Sequence, residues 1–219
     1  MNFFKPLLAG ANFTDRLIGC LGATIGIALT IVVTGGLPLT SIDFPLIVAP
    51  LGASAVLVFG VPSSPLAQPW PVVGGNVISS LVGVAVYRLI PDITIAAGVA
   101  VGAAILVMSL LRCLHPPGGA AALTAVIGSE GIHAAGYGFA FAPVAINSIA
   151  LVAVALLFHR ATAGNYPHVP AAVPVSRLQH ADIEAALEDM DESFDIASED
   201  LEALLAHAER HAAKRQAKR

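Results

Sequence analysis

The stretch LRCLHPPGGAAALTAVIG, residues 111–128, sets a histidine, two prolines and two glycines within some of the most apolar sequence of the chain. Proline has no backbone N–H and breaks a helix, glycine loosens one, and hydrocarbon penalises every backbone group left without a partner. Pro116 and Pro117 suit the first turn of a helix, where the missing amide hydrogens have no helical acceptor anyway. The stretch therefore predicts a short helix that starts inside the apolar region, with Gly118, Gly119 and Ala120 leaving its first amides uncovered. A helix N-terminus carries roughly half a positive elementary charge, so this end is expected to attract an anion.

The composition says what surrounds the break. Of 219 residues, 56% are hydrophobic and 12% charged, with mean hydropathy +0.79, against about 25% charged in ordinary soluble domains. That is a membrane composition, and a lipid bilayer is the expected partner. Residues 1–160 hold five Lys/Arg and four Asp/Glu, whereas residues 161–219 hold six and eleven. The net charge of −4 thus belongs mainly to the tail, and without a basic stripe no nucleic-acid partner is implied. Cys20 and Cys113 sit inside apolar runs as small hydrophobes, so neither a disulfide nor a metal site is indicated, and no cofactor is expected. Residues 1–16 are too polar and interrupted for a signal peptide; Phe3, Phe4, Leu7 and Leu8 beside Lys5 predict an interfacial segment.

Four apolar runs, 17–36, 72–89, 93–111 and 144–158, approach the roughly 20 residues that cross a hydrocarbon core. Two shorter pieces, 46–60 and 117–128, each open with proline and glycine. Aligned with itself, the chain matches Pro71 and the following VVGGNVISSLVGVAVYR to Pro143 and VAINSIALVAVALLFHR; APLGASAVLVFG (49–60) resembles PPGGAAALTAVIG (116–128). Each half reads as long helix, short broken helix, long helix. The predicted fold is an all-α membrane protein of four long transmembrane helices and two short Pro/Gly-broken, re-entrant helices, arranged as an internal duplication in residues 17–160, with a helical tail.

Two topologies fit the Lys/Arg distribution. Re-entry gives four spans with Arg88 cytoplasmic and Arg112 external; full crossing gives six and exchanges them. Segment length favours re-entry. Both counts put the two termini on one side, and Lys5, Arg16 and the tail cations make that side the cytoplasm of a bacterial inner membrane. Runs of Gly, Ala and Ser let helices approach closely, which implies a compact bundle and a homo-oligomer.

Paired interrupted helices in two halves point to a transporter binding site. The candidate set is His115, Pro117, Gly118, Gly119, Ala120 and Arg112 at the second break, Pro50, Gly52, Ala53 and Ser54 at the first, and Asn76, Asn147 and Ser148 in the long helices, with Ser79 also an intramembrane polar residue. Each has a structural alternative. His115 either contacts a ligand or caps a carbonyl freed by the prolines, Arg112 either contacts it or anchors the interface, and Asn76, Asn147 and Ser148 either line a pore or bond helices together. No catalytic triad, paired-Cys spacing or phosphate loop is present, so the chain reads as a non-enzyme.

Beyond a Pro/Ala/Gly linker at 161–177, residues 178–219 carry two amphipathic patterns. One comprises Asp182, Ile183, Ala186, Leu187 and Met190; the other runs from Ser198 through Leu201, Leu204, Leu205 and Ala208, with acids first and cations last as a helix dipole prefers. A cytoplasmic helical tail is expected, available to a regulatory domain or partner.

LHPPGGAAALTAV (114–126), with APLGASAVLVFGVPSSPLAQPWPVVGGNVISSLVGV (49–84), closely resembles the HPP family of integral membrane proteins, named for His-Pro-Pro, here His115, Pro116 and Pro117. The resemblance runs from about residue 12 to the NYP at 165–167. It implies four spans and, from relatives described as nitrite transporters, transport of nitrite or a similar small monovalent anion. The tail resembles the connector that in some relatives precedes a pair of nucleotide-sensing CBS domains; no such pair lies within these residues. A membrane-embedded sensor or scaffold signalling through the tail is the competing reading.

Overall fold

Lipid admits two ways of satisfying every backbone group, helices or closed barrels, and this chain takes the first. The computed structural model describes residues 13–36, 47–170, 180–190 and 194–216, which contain no strand; the interfacial Phe3, Phe4, Lys5, Leu7 and Leu8, and linker residues 171–177, lie outside them. The helices are α1 (Phe13–Gly35), α2 (Pro50–Ala55, continued by a π turn, Val56–Gly60), a 3-10 turn (Pro65–Ala67), α3 (Pro69–Leu89), α4 (Ile93–Leu110), α5 (Pro116–Ile127), α6 (Glu130–Ala135), a π segment (Ala140–Ala145) leading into α7 (Ile146–Ala161), and the tail helices α8 (His180–Met190) and α9 (Ser198–Gln216).

Local chemistry sets these limits. Pro69 opens α3, and Asp92 caps α4 by accepting from the amides of Thr94 and Ile95, both at 2.9 Å. Thr30, Thr34, Ser109 and Thr124 return their hydroxyls to the carbonyl four residues back, so none faces lipid unpaired. Four helices, Phe13–Gly35, Pro69–Leu89, Ile93–Leu110 and Ala140–Ala161, are long and apolar enough to cross a membrane. Leu21, Val32, Ile95, Leu106 and Leu157 project outward from them, as a lipid-facing surface requires.

The two short helices are present as expected, but contacts along α3 show that α5 does not return to the end it came from. Trp70 Nε1, at the start of α3, donates to the Leu111 carbonyl at the end of α4. A methyl on Gly75 would stand 2.6 Å from His115 Cβ, and one on Gly83 would strike the Ala122 carbonyl. Tyr87 stacks on His133 at 3.9 Å, just past α5. Thus α5 runs parallel to α3, starts inside the bundle and finishes at the far end. Its 12 residues supply about 18 Å of helix, and the extended residues 113–115 add about 10 Å at the longer rise of extended chain, together near the thickness that helix alone would need about 20 residues to cover.

The other half mirrors this. Val48, before α2, donates its amide to Asn147 Oδ1 in the first turn of α7, and Val58 at the other end accepts from His159 Nε2. A methyl on Gly19, near the start of α1, would touch the Phe59 carbonyl; one on Gly26 would touch the Phe59 ring and Leu151. So α1 ends opposite to where α2 ends. The six-crossing arrangement, which segment length had disfavoured, results, and the halves are inverted relative to each other. Arg16, Arg112 and Arg160 lie at the end where α1 starts and α7 finishes; Arg88, Asp92 and Glu130 lie at the other.

The halves also interlock. The third long element of each packs on the other half, α3 against α4 and α5, and α7 against α1. Small residues carry these contacts, Ala96, Ala100, Ala104 and Ala122 on one side and Ala55 and Ala155 on the other. In the tail, Ile183, Ala203 and Ala206 are buried while Leu204, expected on the packed face, is 59% exposed; Ala208 is exposed as well, and the Met190 side chain is outside the described set. Asp195 accepts from Ser64 Oγ at 2.8 Å, and Asp200 pairs with His168 at 2.8 Å, fastening the tail to the end of the bundle where α7 finishes.

Candidate functional site

The inner ends of α2 and α5 meet at a buried polar cluster. His115, the residue before α5, has 0% exposure. Its Nδ1 lies 2.8 Å from the Leu66 carbonyl, and its Nε2 2.8 Å from Ser54 Oγ in α2. A carbonyl only accepts, so Nδ1 carries the hydrogen. An imidazolium here would be a buried charge with no carboxylate beside it among the described residues, so the ring is neutral and Nε2 accepts from Ser54. Asn76 Nδ2 in α3 donates to Ser54 Oγ at 3.2 Å and to Ser148 Oγ of α7 at 3.3 Å. Ser80 gives its hydroxyl to the Asn76 carbonyl at 2.9 Å.

Leu66 is available for a reason written in the sequence. In a 3-10 turn its carbonyl would bond the amide three residues on, and that residue is Pro69, which has none. The same turn accepts the tail: Ser64 Oγ, besides donating to Asp195, accepts from the Leu66 amide at 3.1 Å. Of the alternatives for His115, capping a carbonyl is therefore realised, with the donor reaching across to the loop after α2.

The candidate residues divide cleanly. His115, Ser54, Asn76 and Ser148 come together; Asn147 binds the Val48 amide beside them; Pro50 contributes a carbonyl 3.3 Å from Ser54 Oγ. Pro117 and Gly118 are buried, but Gly52, Ala53 and Ala120 are exposed and Gly119 half-buried, facing away from the cluster. Arg112 is exposed, in the left-handed region at φ 53° after α4.

The expectation of bare amides at the helix starts is corrected at Gly118 and Gly52. Pro50, Pro116 and Pro117 lack the hydrogen, Gly118 N bonds the His115 carbonyl at 2.8 Å, and Leu51 N and Gly52 N bond Val48 and Ala49 at 3.0 Å each. What faces the cluster is the helix dipole and side chains. Two oxygens of the cluster have no hydrogen-bond partner among the described residues, Asn76 Oδ1 and Ser79 Oγ. Ser79, noted from the sequence as an intramembrane polar residue but not assigned to the binding set, lies one helical turn from Asn76. No Lys, Arg, Asp or Glu is buried among the described residues. A cavity of about 370 Å³ lies elsewhere, between the loop after α2 and the tail, touching Ser63, Gln68, His168 and Glu199.

These features define a multi-pass membrane protein whose opposed half-helices meet at a buried polar centre. The family profile described as "HPP, transmembrane region" matches residues 9–167, and the chain belongs to that family. It is 36% identical over 126 residues to a transmembrane protein of Dictyostelium discoideum, covering 55% of this chain and 44% of the relative. A second transmembrane protein of the same organism is 41% identical over 109 residues, 48% of this chain and 35% of the relative. The chain thus spans less than half the length of either. No solved structure gives a significant match.

Proposed function

We propose that this protein transports a small monovalent anion, nitrite being the cargo that the family resemblance implies, with His115, Ser54, Asn76 and Ser148 at the closed centre of the path. One observation carries the reading: two inverted half-helices aim their N-terminal dipoles at one buried, polar, uncharged cluster, the arrangement in which discontinuous helices bind substrate. Arg16, Arg112 and Arg160 at one end, against Arg88 with Asp92 and Glu130 at the other, support a reading in which the first end faces the cytoplasm, the membrane being the bacterial inner membrane expected from the sequence. Gly98 and Gly102, four apart on α4 with open space where a methyl would stand, supply a face for a homo-oligomer.

Uptake of nitrite into proteoliposomes, with nitrate, formate and chloride as competitors, tests this. Protein-dependent uptake is expected, lost in His115→Ala; no uptake by folded protein overturns it. A sensor or scaffold acting through the tail is favoured by the Asp195–Ser64 and Asp200–His168 contacts. Transport that survives removal of residues 178–219 supports the carrier, whereas a stoichiometric partner captured by the full chain, lost with those residues, supports the sensor.

A further inference from the structure

The direction of the hydrogen bonds in the cluster says what kind of group its two unpaired oxygens take. Because the Leu66 carbonyl can only accept, His115 donates from Nδ1 and accepts at Nε2, and the single hydroxyl hydrogen of Ser54 goes to that ring at 2.8 Å or to the Pro50 carbonyl at 3.3 Å, leaving none for Asn76. Ser54 Oγ must then accept from Asn76, which turns the amide nitrogen of Asn76 towards Ser54 and Ser148. Flipping the amide would set Asn76 Oδ1 against Ser54 Oγ with no hydrogen between them. Asn76 Oδ1 is left pointing away as an obligate acceptor, and Ser79 Oγ stands one turn further along the same face of α3. Both residues have 0% exposure, and both oxygens lack a partner among the described residues. Ser79 Oγ lies over the start of α5, 2.7 Å from where a methyl on Gly118 would stand, so a side chain there would collide with this oxygen.

We propose that Asn76 Oδ1 and Ser79 Oγ form a subsite for a small neutral molecule that donates a hydrogen bond, and that the species crossing is the conjugate acid of a small oxyanion. The inference rests on the transport reading above. A bare anion would meet the lone pairs of Asn76 with no buried cation to compensate it, and desolvating an unpaired charge is costly. The neutral acid matches the hydrogen-bonding chemistry of both atoms: its O–H donates to Asn76 Oδ1, and its second oxygen accepts from Ser79. The proton balance is simple. The anion takes up a proton on one side, the O–H bond stays intact in transit, and it dissociates on the other side, delivering one proton per anion.

The test uses the full chain in proteoliposomes with sodium nitrite outside, a pH-sensitive dye inside, and potassium with valinomycin to set the membrane potential; flux in protein-free vesicles is subtracted. The expected protein-dependent uptake acidifies the lumen by one proton per nitrite and ignores the imposed potential. It rises about tenfold for each unit by which the external pH falls, as the protonated fraction does above the acid's pKa. Asn76→Leu and Ser79→Ala each lower it by about tenfold or more, the loss expected when a polar contact in a buried site is removed. Ser79→Ala deletes a hydroxyl that has no partner, so its unfolding midpoint stays at or above that of the parent, which separates lost binding from lost folding. Uptake that follows the potential without acidification means that the anion crosses, and overturns this inference while leaving transport standing. Unchanged uptake in folded Ser79→Ala and Asn76→Leu overturns the subsite. No protein-dependent uptake overturns both readings.

Discussion

The starts of α2 and α5 occupy equivalent positions in the two halves and solve the same problem with opposite chemistry. The alignment that pairs Pro71 with Pro143 pairs Gly75 with Asn147; the one that pairs Pro50 with Pro117 pairs Val48 with His115. At the α5 start, the long helix gives way: Gly75 allows His115 to lie against the α3 backbone, and the histidine reaches outward to Leu66 and Ser54. At the α2 start, the long helix does the reaching: Asn147 accepts the amide of an apolar Val48. One break carries an ionisable side chain and the other an apolar one, so an inverted scaffold is chemically one-sided at its centre.

The largest effect is expected at the chemical break. His115→Ala removes the partners of both Leu66 and Ser54 and leaves a cavity, lowering stability by about 3–5 kcal/mol in a detergent unfolding assay. Exchanging the paired residues tests the comparison directly. Gly75→Asn places a side chain where even a methyl meets His115 Cβ at 2.6 Å and the Cys113 carbonyl at 2.8 Å, at a cost of about 1–3 kcal/mol from overpacking. Asn147→Leu orphans the buried Val48 amide at a similar cost of about 1–3 kcal/mol, with no change in any hydrogen bond of His115. If Gly75→Asn is neutral, the asymmetry is not a packing constraint.

Smaller effects belong to the periphery. Tyr166 donates to the Ala67 carbonyl at 3.0 Å, and burial pushes its phenol above the usual range. Folding therefore favours the neutral phenol: its contribution is complete below the unfolded pKa of about 10 and declines as pH rises past that value. Tyr166→Phe should flatten this alkaline decline in the melting temperature while costing about 1 kcal/mol at neutral pH. Asp200→Asn, at a partly exposed pair with His168, should change stability by about 1 kcal/mol or less, with the difference shrinking in high salt.

Much of this was legible before any coordinates. Apolar run lengths found the four long helices, and proline with glycine found both breaks, because both signals are local. The duplication found Asn76 and Ser148, which meet across the centre. The passage of the short helices through the bundle was not legible, because a few extended residues such as 113–115 cover depth at twice the helical rise and no apolar window registers them. The amides expected to bind an anion were misjudged for a related reason: proline marks the helix start but also deletes donors, and the next amide closes onto the residue before the helix. Leu66 was invisible because a backbone carbonyl has no side-chain signature; only the position of Pro69 hinted at it.

Leu66 is held from both sides, its amide by the Ser64 hydroxyl that also grips Asp195, its carbonyl by His115. The acidic tail and the innermost histidine thus meet at a single residue of the turn, with no lipid-embedded helix between them. From the anchor of Asp195 to the bond that decides which imidazole nitrogen holds the proton, the route passes through only the two backbone torsions of Leu66.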